Sequence, residues 1–162
     1  MAQVYISIGS NIDPHEHVRA GVAALRAGFG ELQLSSVYES AAVGFAGENF
    51  LNLVAGFSTE DDVQRVAGVL RQIEDRFGRD RSGSKFSSRT LDLDLLLYDD
   101  LVLNDAGLDV PREEITKNAF VLWPLAELAP GLRHPRLGMT MEELWDAFDK
   151  DIQKLTPIPF KW

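Results

Sequence analysis

The 162-residue chain contains no cysteine. Disulfide frameworks, thiolate zinc sites and cysteine nucleophiles are thereby excluded, and a reducing compartment fits. No apolar stretch approaches the roughly 18 residues that a membrane span requires, and Met1 to Asn11 carry neither positive charge nor a long apolar run. A soluble, cytoplasmic protein without a membrane partner is expected. Positive charge is scarce, with 16 Lys and Arg against 25 Asp and Glu and a net charge of −9. A field of that sign repels a duplex, so nucleic acid is not an expected partner. His15, His17 and His134 have no metal-ligand spacing, and neither a nucleophilic triad motif nor Gly-x-Gly-x-x-Gly occurs. Gly78 to Lys85 resembles a phosphate-binding loop, but its last two residues are in the wrong order and it follows a helical pattern instead of a strand.

What is present is a chain 45% hydrophobic and 25% charged. At this length roughly two-thirds of the unfolded surface can be buried, and a single domain over residues 1–162 is expected. Val4, Ile6 and Ile8 alternate with Tyr5 and Ser7, which predicts a strand ending at Gly9-Ser10-Asn11. Asp13, Pro14 and Glu16 then form a helix start, followed by an apolar stripe of Val18, Val22, Leu25 and Phe29. Further strands are predicted over Leu32 to Tyr38 and over Phe50 to Phe57, where Leu51, Leu53, Ala55 and Phe57 share a face. Glu39 to Asn49, rich in small residues, reads as a long loop between them.

Thr59 opens a second predicted helix with Val63, Val66, Leu70, Ile73 and Phe77 on one stripe and Gly78 as its left-handed stop. Arg79 to Ser88 shows no period and reads as a second loop. Leu91 to Tyr98 is the most apolar strand, with a turn at Asp99-Asp100 and a short Leu101-Val102-Leu103 strand completing a hairpin. Prolines 111, 124, 130 and 135 break the remainder into short pieces, until Thr140 and Glu143 cap a last helix carrying Leu144 and Phe148. The order of elements suggests an α+β or α/β sandwich, a sheet covered by helices.

The chemistry concentrates around Leu91 to Tyr98. Its odd positions are all leucine, so one face is core while Asp92 and Asp94 project from the other, roughly 6–7 Å apart at Cα. Unpaired, two such carboxylates repel each other. Hard cations between them resolve the conflict, since Mg²⁺ favours carboxylate oxygens and takes its remaining ligands from water and substrate phosphates. Taken alone the pair also fits a solvated sheet face or pairing with arginines. Six of the sixteen basic residues, Arg71, Arg76, Arg79, Arg81, Lys85 and Arg89, fall between Arg71 and Arg89. Arg71 and Arg76 also suit a solvated helix end. For Arg79, Arg81 and Arg89, cations gathered beside an acidic pair in an acidic protein favour phosphate chemistry, because the guanidinium fork matches phosphate oxygens.

Arg89-Thr90-Leu91-Asp92-Leu93-Asp94, with Gly78-Arg79-Asp80-Arg81, Ile8-Gly9-Ser10-Asn11 and Phe120-Val121-Leu122-Trp123-Pro124-Leu125, closely resembles the 6-hydroxymethyl-7,8-dihydropterin pyrophosphokinase family of folate biosynthesis. The resemblance runs to about Pro135. It implies a three-layer α-β-α sandwich with a ferredoxin-like, mainly antiparallel central sheet. It also implies transfer of the pyrophosphoryl group of ATP to the pterin's hydroxymethyl oxygen, with two Mg²⁺ ions and release of AMP. By that resemblance Asp92 and Asp94 hold the metals, Arg79 and Arg89 contact the transferred phosphates, and Glu74, Arg81, Lys85 and Arg112 surround ATP. Gly9, Ser40, Ala41, Val43, Asn52 and Phe120 form the pterin pocket, with Phe120 stacking on the ring and Asn52 reading its edge. The partners are these small molecules, and a monomer is expected.

Four positions depart from the resemblance. Arg112 stands where relatives commonly have histidine, Asn118 where they have arginine, Phe50 in place of a tyrosine and Phe86 in place of an indole. The metal pair and Arg79 and Arg89 are retained. Two other readings stay open at this stage: a relative that binds ATP, Mg²⁺ and a pterin with weak or altered transfer, and a nucleotidyltransferase using the same metal pair.

Overall fold

Alternation carries the first strand beyond the stretch expected, so that β1 spans Ala2–Ser10. The computed structural model describes residues 1–40, 49–78, 90–105 and 107–162. Helix α1 covers Pro14–Phe29 with Pro14 in its first turn. Asp13 precedes it without a side-chain cap bond, because its backbone is left-handed (φ 43°), whereas a capping side chain works from extended dihedrals. Its carbonyl instead accepts from the His17 amide at 3.0 Å.

The stretch from Leu32 to Tyr38 is two strands instead of one, β2 (Gln33–Leu34) and β3 (Val37–Ser40). Ser35 and Ser36 interrupt it. The Ser35 hydroxyl takes the Val54 amide at 2.9 Å, and the Ser36 amide turns to the Glu127 carboxylate at 3.0 Å. Strand β4 runs over Phe50–Thr59 and helix α2 over Val63–Arg76. Thr59 therefore ends a strand and does not open the helix. Asp62 does so, its side chain accepting from the Arg65 amide at 2.8 Å. Gly78 follows the helix with φ +76°, a conformation that a Cβ disfavours.

Strand β5 covers Asp92–Tyr98. The next segment does not fold back on it. Strand β6 (Leu103–Asp105) pairs with β7 (Leu108–Val110) in a separate two-stranded sheet, since Asp99 turns left-handed and the chain leaves the sheet edge. Beyond a 3-10 turn at Glu113–Thr116 lie α3 (Ala119–Leu128), α4 (Met141–Ala147) and β8 (Leu155–Ile158). Thr140 and Glu143 form the expected capping box, while Phe148 lies just past the end of α4.

The main sheet has the order β5-β1-β4-β3-β8, with β2 also pairing with β4. Every pairing in it is antiparallel. The sequence β1-α1-β3-β4-α2-β5 in that spatial order is a βαββαβ unit, the ferredoxin-like arrangement. Helices α1 and α2 bury Val18, Val22, Leu25, Val66, Leu70 and Ile73 against Val4, Ile6, Ile8, Leu51, Leu53 and Phe57. On the opposite face, α3 and α4 pack Val121, Leu122, Leu125 and Met141 against Tyr5, Val54, Leu96 and Leu97. Leu97 was expected beside Leu91, Leu93 and Leu95. The register between β1 and β5 shifts at Tyr5/Ile6, which pair with Leu97 and Leu95, and the resulting bulge turns Leu97 to the other face. Among the described residues no helix is long and apolar enough to cross a membrane.

Candidate active site

Leu91, Leu93 and Leu95 are buried toward α1 and α2, so alternation sets Asp92 and Asp94 on the opposite face of β5, the sheet's edge strand. Register aligns a row across four strands. Asp92 lies opposite Gly9, Gly9 opposite Asn52, and Asn52 opposite Tyr38. With neighbouring strands about 4.8 Å apart, the Asp92 and Asn52 backbones are about 10 Å from each other. The floor between them is backbone alone: a Cβ on Gly9 would stand 2.9 Å from the Asn52 side-chain oxygen. Asn52 is buried, and its amide nitrogen donates to the Ser40 hydroxyl at 3.1 Å.

Glu74, in the last turn of α2, is 8% exposed and accepts the Leu93 amide at 2.8 Å. It thus fastens the strand between the two aspartates to the helix behind it. Arg112 is fixed to the same strand from the other side, its backbone amide donating to the Leu96 carbonyl at 2.9 Å. Its Nη2 lies 3.4 Å from Asp94 Oδ1 and 3.0 Å from Glu114 Oε1. Burial opposes the Arg112 charge, but Asp94 and Glu114 outweigh it and the guanidinium pKa is raised.

Asp94 is under strong electrostatic pressure. Burial first, and the neighbouring Asp92 second, push its pKa up to about 7, with Arg112 acting in the opposite direction. The Asp92 carboxyl group thus disfavours the ionisation of Asp94, a conflict that a bound cation would relieve. The donor set fits Mg²⁺. Both members are hard carboxylates, the donor type that this ion prefers.

Phe120 is the second residue of α3, half-buried, and packs on the core of that face. Gly9, Ser40, Asn52, Glu74 and Asp92 thus gather at one end of the sheet, with Asp94 one place inward and Arg112 against it, while Phe120 lies in the first turn of α3. Ala41, Val43, Arg79, Arg81, Lys85 and Arg89 lie outside the described residues, as do Phe86, the segment 79–88 and all of the expected 39–49 loop except its ends. Glu39 and Ser40 belong to β3.

A family of known proteins, 7,8-dihydro-6-hydroxymethylpterin-pyrophosphokinase, matches residues 5–130. This chain belongs to that family. A 2-amino-4-hydroxy-6-hydroxymethyldihydropteridine pyrophosphokinase of Pseudomonas aeruginosa is 38% identical over 150 residues, 90% of this chain and 91% of that protein. The Aquifex aeolicus enzyme of the same name is 34% identical over 145 residues, covering 88% and 90%. The Haemophilus influenzae enzyme is 31% identical over 161 residues, covering 97% and 100%. Among solved structures, an HPPK-DHPS triple mutant of Plasmodium falciparum with pteroate matches with a TM-score of 0.71 over 90% of this chain. At 12% identity that likeness concerns the fold, and this chain spans 43% of the Plasmodium polypeptide.

Three residues that tie these elements together escaped sequence reading. Glu114 shares Arg112 with Asp94, and its own signal was an acidic pair after a proline. Glu127, on α3, receives the Ser36 amide, the Ser36 hydroxyl and the Tyr38 hydroxyl, which clamps β3 to the helix. That contact and burial raise the Tyr38 pKa, burial being the larger cause. Gln153 bonds to the start of α3 from more than thirty positions away, and nothing local marks it.

Proposed function

We propose that this protein transfers the pyrophosphoryl group of ATP to the hydroxymethyl oxygen of 6-hydroxymethyl-7,8-dihydropterin, giving AMP and the pterin diphosphate. The observation that carries the reading is the row Asp92–Gly9–Asn52, which faces a carboxylate pair and a buried side-chain amide across a bare strip of backbone in a member of this family. In the transfer the pterin oxygen bonds to the β-phosphorus, the bond from that phosphorus to the α-phosphate oxygen breaks, and the hydroxyl proton leaves to solvent.

Asp92 and Asp94 hold two Mg²⁺ ions in this reading. When bound, the ions neutralise the triphosphate and favour attack at phosphorus. The chain's own residues orient and exclude. Asn52, held by Ser40, presents a donor and an acceptor to the heterocycle's edge, and Phe120 offers a ring face on which it stacks. Glu74, expected among the residues around ATP, is instead buried with its carboxylate taking the Leu93 amide, and in this reading it keeps the two aspartates in register. Arg79 and Arg89 meet the transferred phosphates, and Arg81, Lys85 and Arg112 the nucleotide; the Arg112 guanidinium, already within 3.4 Å of Asp94, is near enough to follow charge entering there. Ala41 and Val43 complete the pterin pocket. Residues 1–162 act as one unit, and because every assigned residue comes from one chain a monomer suffices. Action in the cytoplasm, where ATP is supplied, suits the reaction.

Incubation with ATP, Mg²⁺ and the hydroxymethyl dihydropterin, read by chromatography, should give AMP and pterin diphosphate in equal amounts. Release of free pyrophosphate, or binding of both substrates without turnover, would overturn the assignment.

A further inference from the structure

The C-terminal segment lies beyond residues 5–130, the part of the chain that the family match covers. It nevertheless touches both walls of the site. On one side β8 pairs with β3, with Leu155 opposite Ser40, Thr156 opposite Glu39 and Pro157 opposite Tyr38. Without that strand β3 would be the sheet edge on this side, and Ser40, the hydrogen-bond partner of Asn52, would close an unpaired strand end.

On the other side stands Gln153. Its Oε1 accepts the Ala119 amide at 2.6 Å, and its Nε2 donates to Asn118 Oδ1 at 3.0 Å. Helix α3 begins at Ala119, and its N-cap residue, Asn118, makes no side-chain cap bond of its own. A first-turn amide has no carbonyl within its helix to bond, and Ala119 is fully buried. Gln153 therefore supplies from a distant part of the chain the acceptor that a capping side chain ordinarily supplies locally. Asn118 is in turn tied to Glu114 at 3.5 Å, and Glu114 to Arg112, the cation beside Asp94. Phe120 is the residue directly after the amide that Gln153 holds.

We propose that Gln153 is a positioning residue for the pterin site. It sets the first turn of α3 and so the Phe120 ring, while the strand that follows it holds the Ser40–Asn52 side. The separation between the stacking ring and the amide that reads the heterocycle is thus fixed by one short stretch bonded to both. The proposal rests on the reading of Phe120 and Asn52 as pterin-binding residues. It requires Gln153 to act through Phe120 and to matter for the pterin more than for ATP.

The test is a double-mutant cycle on steady-state kinetics of the full chain with Gln153→Ala, Phe120→Ala and the pair. Gln153→Ala should raise the pterin KM about tenfold while the ATP KM and kcat change by less than about twofold. The pair should be no worse than Phe120→Ala by more than about twofold, because the ring that Gln153 orients is already gone. Gln153→Glu keeps an acceptor for the Ala119 amide, so it should recover most of the lost pterin affinity; should the alanine form not fold, Gln153→Met, which fills the same space without an acceptor, takes its place in the cycle. If Phe120→Ala leaves the pterin KM unchanged, the underlying reading of the pocket fails. If Phe120→Ala raises that KM but Gln153→Ala does not, if the two effects multiply, or if pterin and ATP KM rise together, the positioning role is refuted.

Discussion

The two faces of the main sheet are built to different ends. Toward α1 and α2 the surface is closed, with Val4, Ile6, Ile8, Leu53 and Leu93 each 4% exposed or less. Toward α3 and α4 the apolar cover reaches Val54, Leu96 and Leu97 and then stops. The same strands present Asp92, Asp94, Gly9 and Asn52 where that cover ends. A strand has two faces with a strict period, so one set of residues can fasten the protein while the residues between them do chemistry. Glu74 is the link between the two: it belongs to the closed side yet holds the amide between the aspartates.

Substitutions on the two faces should therefore separate activity from stability. The largest effect is expected from Asp94→Ala, which should lower pterin diphosphate formation by about 10³-fold or more while circular dichroism still shows the folded protein and the melting transition does not fall. A comparable loss of folded protein would show that the open face is structural after all. Next comes Leu53→Ala on the closed face, expected to cost about 2–5 kcal/mol in denaturant unfolding with kcat of the remaining folded protein unchanged. Loss of kcat at full stability would erase the distinction.

A smaller effect concerns pH. In the protein without divalent metal, Asp94 titrates near 7 instead of at its ordinary value, so the fold favours its neutral form. The stability associated with that group is fully present below about pH 4 and is lost as pH rises through about 7. Asp94→Asn cannot ionise. In EDTA it should therefore gain on the parent between pH 5 and pH 8, by roughly 2–3 kcal/mol in unfolding free energy, and a constant difference across that range would contradict the shift. The smallest change expected is from Gly9→Ala. Its methyl would displace the Asn52 oxygen and raise the pterin KM about fivefold with little change in ATP KM.

How far each part of the chain could be read in advance follows the same division. The stripes of α1 and α2 and the alternation of β1, β4 and β5 arise where an element has one buried face, and there the period is plain. Helix α3 gave no such signal. It is apolar on several sides because it lies between the sheet and α4, and Pro124 inside it argued for a break. The interruption at Ser35 and Ser36 depends on Val54 and Glu127, which are distant in sequence, and β8 contains Pro157 and forms because β3 offers it an edge. For the site, the carboxylate pair was legible because both members lie on one strand at the strand's own period. The sharing of Arg112 with Glu114, and the bonds of Gln153 to Ala119 and Asn118, join elements that meet only in the folded chain.

Gly9 carries one more implication. A small molecule spanning the row from Asp92 to Asn52 would rest on peptide groups at its middle, and peptide groups are the same whatever residue bears them. Escape from such an inhibitor at that point is open only by adding bulk, and the first carbon added stands 2.9 Å from the Asn52 side-chain oxygen, the group proposed to read the natural ring. Resistance and catalysis are thereby set against each other at a single position.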